Sequence, residues 1–221
     1  MVHQASHDKR LTGALGSFGS DAHVHETIPF DMGGRSVLDV GCGNGKDLMQ
    51  PAFAVAAERW GLDPDPRAVE LGRRMFPALS LVQGTAEKLP FKAARFDVVM
   101  SRVALPYTNI PIALAEIARV MKPQGYLCLL LHDWKMQAEF AGKAWQERAW
   151  KRLIDLGYVT AASVCYAFLN CIPAKPWDGS RETFQFQWVM RRRLARLGFE
   201  AICYERTSRH FFITARYRPA A

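Results

Sequence analysis

The chain has 221 residues, 49% of them hydrophobic, enough for one domain around one sizeable core and too apolar for a disordered chain. Its formal net charge of +8 is uneven, with a balance of +1 over residues 1–131 and +7 over 132–221. The basic part suits an anionic substrate, a phosphate or a nucleic acid, or is an arginine-rich surface. Five cysteines, an odd number without a C-x-x-C pair, argue against a disulfide framework or a zinc site and fit reduced thiols.

Residues 1–30 show no clear period and carry Gly13, Gly16 and Gly19. They read as a flexible arm or lid on a single domain spanning 31–221. This stretch lacks the apolar run of a signal peptide, and no run approaches a membrane-spanning length, so the expected place is the cytoplasm, with no membrane partner. His23 and His25 lie two apart without further ligands, and no metal site is assigned.

From Ser36 the pattern becomes regular. A strand over 36–40 is followed by three alternating glycines, Gly41, Gly43 and Gly45, and then by a periodic segment that predicts a helix from Lys46 to about Arg59. A second strand ends at the proline-bounded turn Asp63-Pro64-Asp65-Pro66, and a helix follows over 67–75. Strands are expected over 79–82 and 96–101, an amphipathic helix over 110–121, and a continuous apolar strand over 126–131. Such a run suits a sheet covered on both faces. Residues 132–190 hold five of the six tryptophans, a helix over 136–156 and the proline-rich loop 171–177. The expectation is that most of these rings build the core of added helices. A helix over 189–197 and strands over 199–205 and 210–217 complete the order. Alternating strands and helices with short links predict an α/β fold, a doubly wound, mostly parallel Rossmann-like sheet.

The glycine turn carries the first chemical signal. A strand that ends in glycines lets a ligand approach the backbone closely. A dinucleotide fingerprint is G-x-G-x-x-G; here the spacing is Gly41-x-Gly43-x-Gly45, with Asp39 two residues before the first glycine. This arrangement resembles motif I of the class I S-adenosylmethionine-dependent methyltransferases, in particular the small-molecule, methyltransferase type 11-like subgroup. The resemblance covers 35–131 in order and 185–217 more loosely. It implies seven strands with the last antiparallel and S-adenosylmethionine as cofactor. It also implies that Gly41, Cys42 and Gly43 pack against the methionine part while Asp39 positions the amino group. Asp63, 24 residues past Asp39, falls where the family binds the ribose hydroxyls, with Pro64 beside it. The run Gly84-Thr85-Ala86-Glu87-Lys88-Leu89-Pro90-Phe91 is similar to the family's adenine-bordering loop D-A-x-x-L-P-F, with Thr85 in place of the acid. It assigns Thr85, Ala86 and Glu87 to the cofactor, and Ser101 at the end of strand four joins them.

The acceptor side is less specific. Many relatives have a histidine near the end of strand four, whereas this chain has Arg102 followed by Pro106-Tyr107. Arg102 and Tyr107 are the catalytic candidates, Arg102 as partner of an anionic substrate group or of the cofactor carboxylate. The tryptophan-rich insertion 132–190 is expected between strands five and six, bordering the substrate. The resulting expectation is methyl transfer by in-line displacement to a small molecule, part apolar and part anionic, without a specific nucleic acid. RNA or protein methylation and non-catalytic cofactor binding stand as alternatives. A nicotinamide oxidoreductase explains the glycines and Asp63 but neither their spacing nor Leu89-Pro90-Phe91. The sequence assigns no oligomeric state.

Overall fold

Strand β1, Ser36–Val40, is buried at all five residues, as a strand covered on both faces must be. It lies inside a seven-stranded sheet in the computed structural model, which describes residues 32–206 and 210–219. The other strands are β2 (Glu58–Asp63), β3 (Ser80–Gln83), β4 (Phe96–Arg102), β5 (Met121–His132), β6 (Phe199–Arg206) and β7 (His210–Tyr217). The spatial order is β3-β2-β1-β4-β5-β7-β6. Strands β1 to β5 pair in parallel, and β7 runs antiparallel between β5 and β6. The expected Rossmann-like sheet with a last antiparallel strand is therefore the observed fold. The expected arm, with His23 and His25, lies outside the described residues.

Alternate residues of each strand feed two cores, because successive side chains of a strand point to opposite faces. Leu38, Val40, Val99, Leu127, Leu129, Phe211 and Ile213 share one cluster with Ile117, Tyr166 and Leu194. Those three partners lie on helices α2 (Ile110–Val120), α4 (Trp150–Leu169) and α5 (Gln187–Arg196). Val37, Val98, Met100, Cys128, Leu130 and Phe212 face the other way, with Leu48, Phe53 and Val69. Val69 belongs to α1, Pro66–Met75, which starts on an Asp65 cap and a proline in its first turn.

Two elements differ from the sequence reading. The expected helix over 46–59 is two short 3-10 turns, Lys46–Met49 and Pro51–Phe53, after which the chain enters β2 at Glu58. Pro51 cannot donate to a continuing helix. Leu48 and Phe53, both fully buried, instead anchor one turn each in the second core. The expected helix over 136–156 is two helices, α3 (Trp134–Gln146) and α4, with Arg148 between them at φ 53°. An arginine in left-handed backbone ends a helix. By length and composition α4 would suffice to cross a membrane, contrary to the expectation of no such run. Its Tyr166 and Ala167 nevertheless lie in the domain core.

Candidate active site at the carboxyl edge of the sheet

In the order β3-β2-β1-β4 the direction in which successive strands are added reverses between β1 and β4, and ligands of open α/β sheets bind outside the carboxyl ends at such a switch point. Gly41, Gly43 and Gly45 all have positive φ, between 56° and 81°, a region where Cβ crowds the carbonyl oxygen. They divide the work. A Cβ on Gly41 would lie 2.1 Å from Ala104 Cβ, and one on Gly45 2.9 Å from Leu79, so these two glycines serve packing. A Cβ on Gly43 would meet nothing within 4 Å, so Gly43 is the residue that keeps open space against the turn. The backbone N–H groups of Gly41 and Cys42 both donate to Leu62 O, at 2.7 and 3.1 Å. The Cys42 side chain is buried at 8% exposure and occupies the space a Cβ on Gly61 would need. Burial, reinforced by Asp39, pushes its thiol upward. Its side chain is thus a core group, and only its backbone lines the turn.

Asp39 is 1% exposed, and its Oδ1 has no hydrogen-bond partner. Burial first, and then the neighbouring Asp47, push its carboxyl up to about 8; Asp63 adds to the rise and Arg102 opposes it. A buried carboxyl with an orphaned oxygen is costly to leave unmatched. It fits a ligand ammonium. Asp63, at the end of β2, accepts hydrogen bonds from Gly43 N–H (2.7 Å, Oδ2) and Asp65 N–H (2.9 Å, Oδ1). It therefore clasps the glycine turn from the neighbouring strand end. Pro64 is exposed beside it, and its carbonyl accepts weakly from Gln83 Nε2 at 3.4 Å.

The loop after β3 is fixed from below. Glu87 Oε1 accepts from Asn109 N–H at 2.8 Å, the residue that precedes α2, so Glu87 ties the loop to a helix start. Leu89 N–H donates to Glu116 Oε2 (2.8 Å), while Arg119 donates to the carbonyls of Leu89 (2.9 Å) and Phe91 (2.8 Å). This leaves Thr85 exposed at the loop's tip and Ala86 buried. Ser101 is 2% exposed and its hydroxyl donates to Val40 O at 2.8 Å; it staples β4 to β1.

Arg102 does not face open solvent as a lone cation. Its Nε lies 2.6 Å from Asp47 Oδ2, joining the end of β4 to the turn after the glycines. The sequence reading missed Asp47, whose only visible mark was its place two residues beyond Gly45. It missed a second group too. Tyr107, 51% exposed, meets the His132 ring edge-on at 5.6 Å, and His132 lies 5.5 Å from His210. His132 closes the apolar run of β5, and the antiparallel register pairs it with His210 at the start of β7. Burial, with His210 nearby, lowers the His132 imidazole to about 4. A histidine thus stands at this edge, from strand five and not from strand four. The insertion reaches the same edge. Thr183 N–H donates to Pro106 O (2.9 Å) and Gln185 N–H to His132 O (3.1 Å).

The family model of a methyltransferase domain matches residues 38–129, the stretch from β1 through most of β5. Residues 38–129 are thus a methyltransferase domain. Over 114 residues it is 38% identical to the phthiotriol/phenolphthiotriol dimycocerosates methyltransferase of Mycobacterium leprae, covering 48% of this chain and 42% of that protein. It is 37% identical over 136 residues to an uncharacterised methyltransferase of Synechocystis, covering 56% and 63%. The match thus spans about half the length of the curated relatives. In fold, this methyltransferase domain is similar to an S-adenosylmethionine-dependent methyltransferase from Mesorhizobium loti, with a TM-score of 0.59, 15% identity and coverage of 85% and 93%. A Methanosarcina mazei methyltransferase superposes with a TM-score of 0.55 at 17% identity, covering 85% and 94%.

Proposed function

We propose that this chain is an enzyme that transfers a methyl group from S-adenosylmethionine to a small, largely apolar acceptor. The observation that carries the reading is the orphaned Oδ1 of buried Asp39, beneath a glycine turn that keeps open space at Gly43. When bound, the cofactor supplies a methyl group already activated by a positive sulfur, for in-line displacement by the acceptor. The residues here would hold it: Asp39 takes the ammonium, Asp63 the ribose hydroxyls, and the Thr85–Ala86 tip borders the base. Alignment and exclusion of water then account for much of the rate.

The acceptor side favours apolar chemistry. The matched mycobacterial relatives are named for dimycocerosate substrates, which are lipid-like. Arg102, the cation read as partner of an anionic group, is engaged by Asp47. Tyr107 remains the catalytic candidate, with His132 at its edge. With its imidazole near 4, His132 is neutral at pH 7 and presents an acceptor nitrogen, suited to orienting an acceptor hydroxyl more than to removing its proton.

Calorimetry with S-adenosylhomocysteine and NAD tests the cofactor assignment; binding of NAD alone overturns it. Incubation with labelled methyl donor, a lipid-containing small-molecule extract and total cellular RNA tests the acceptor class. Label in the extract is expected, and label confined to RNA overturns the small-molecule reading.

A further inference from the structure

The tryptophans of the insertion do not build a core as expected. Trp145 (67% exposed), Trp150 (61%), Trp177 (53%) and Trp188 (50%) are surface residues. Several of them converge on helix α4. This helix turns Val159, Ala162, Ser163, Tyr166 and Ala167 inward. Its outer face carries Trp150, Ile154, Gly157, Ala161, Val164 and Phe168, all exposed, at spacings of four, three, four, three and four. That is a heptad seam, two positions in seven, and not one of the six is polar. A lone solvent face carries charge; a narrow apolar seam of this period is the contact line of a paired helix. A lipid surface selects a wide apolar face instead.

The seam is also its own complement. Trp150 and Phe168 stand nine residues either side of 159, Ile154 and Val164 five, Gly157 and Ala161 two. Two copies related by a two-fold axis through that level, with helices antiparallel, would set Trp150 against Phe168, Ile154 against Val164, and Gly157 against Ala161. Nothing lies within 4 Å of where a Cβ on Gly157 would sit, so the middle of the seam has room for close approach. The same arrangement puts the exposed Lys151 and Arg152 of each copy beside the other's helix carboxyl end, where the helix dipole favours cations. Trp145 touches Trp150 and Trp188 touches Phe168, both at ring distances of 5.9 Å, extending the patch at each end. With these residues and Leu169 exposed by 43–72%, the patch offers on the order of 800 Å² of apolar surface per copy, what a stable interface of standard size needs.

We propose that α4 is a homodimer interface, pairing two copies of this chain antiparallel about the level of residue 159. The inference stands apart from the acceptor assignment. Sedimentation velocity over a concentration series tests it, with circular dichroism and melting temperature showing that each variant is folded. The wild type is expected to dimerise reversibly. Ile154→Lys and Val164→Asp should each weaken dimerisation by at least about thirtyfold. An equimolar mixture of the two should recover a heterodimer, because the register sets the introduced lysine against the introduced aspartate. Should either variant fail to fold, Trp150→Lys mixed with Phe168→Asp makes the same test one position outward. A wild type monomeric throughout, a dimer indifferent to these substitutions, or a mixture without recovery overturns the proposal. So does a monomer that sediments with vesicles of anionic phospholipid, which would assign the face to a lipid surface.

Discussion

Asp39 is the residue where the fold meets the proposed ligand. Its folded value near 8 lies above the ordinary 3.8. Between those values the folded chain holds a proton that the unfolded chain has released, so this residue makes stability fall as pH rises from about 4 to about 8. Asp39→Asn should remove that slope and raise the melting temperature at pH 8, while S-adenosylhomocysteine affinity drops. Thermal melts across pH, beside calorimetry, check both. An affinity that survives the substitution would remove the ammonium role. Asp63→Ala should weaken the same ligand by about 1.5–3 kcal/mol, the range for hydrogen bonds to a charged group, and calorimetry measures it directly. The glycines separate by what a methyl group would meet. Gly41→Ala drives a Cβ into Ala104 and should destabilise by overpacking and strain, about 3 kcal/mol or more. Gly43→Ala enters open space and should cost about 1–2 kcal/mol of backbone strain while sharply reducing cofactor affinity. Equal effects of the two on melting temperature and binding would refute this division of roles.

At the scale of elements, helix α2 governs the loop that follows β3. Arg119 donates to two loop carbonyls and to Glu116, which accepts from Leu89 N–H. Hydrogen bonding to Arg119 holds the Glu116 carboxyl below its usual range. Arg119→Ala should lower stability by about 1–2 kcal/mol and weaken the ligand through its adenosine end. Binding of S-adenosylhomocysteine and of adenosine alone, compared in the variant, reads this out; a stability loss with unchanged affinity would confine the clamp to a structural role. The same element explains Glu87. Its spacing within the motif placed it beside the cofactor, whereas its carboxylate serves the Asn109 N–H, a contact across 22 residues that no local pattern displays.

Over the whole molecule, part of the charge imbalance is taken up in separate contacts. Of the run Arg191-Arg192-Arg193, the first two are exposed, while Arg193 lies over the Tyr166 ring at 5.8 Å. Arg206 pairs with buried Asp133 at 2.6 Å. With Arg193 and Arg206 engaged inside the fold, bulk RNA should bind weakly, lose that binding steeply as salt rises, and take up no methyl label. Filter binding across a salt series checks the first two points and label counting the third. Tight binding that persists at high salt would reopen a nucleic-acid acceptor.

The sequence by itself determined the sheet, its strand sequence and the glycine turn. Those features rest on local periodicity and on backbone conformations that few residues other than glycine adopt. The antiparallel last strand and the proposed cofactor came from the family resemblance carried by that turn. Tertiary structure alone decided which glycine faces open space, that Cys42 and Ser101 are packing groups, and that Arg102 answers Asp47. It alone brought His132 to Tyr107 and His210 to His132, since strand neighbours β5 and β7 are far apart in the chain. It also turned the insertion's aromatic rings outward. A helical period shows that a face is apolar but not what covers it, and only the packing of α4 on Tyr166 and Ala167 left Trp150, Ile154 and Phe168 on the outside.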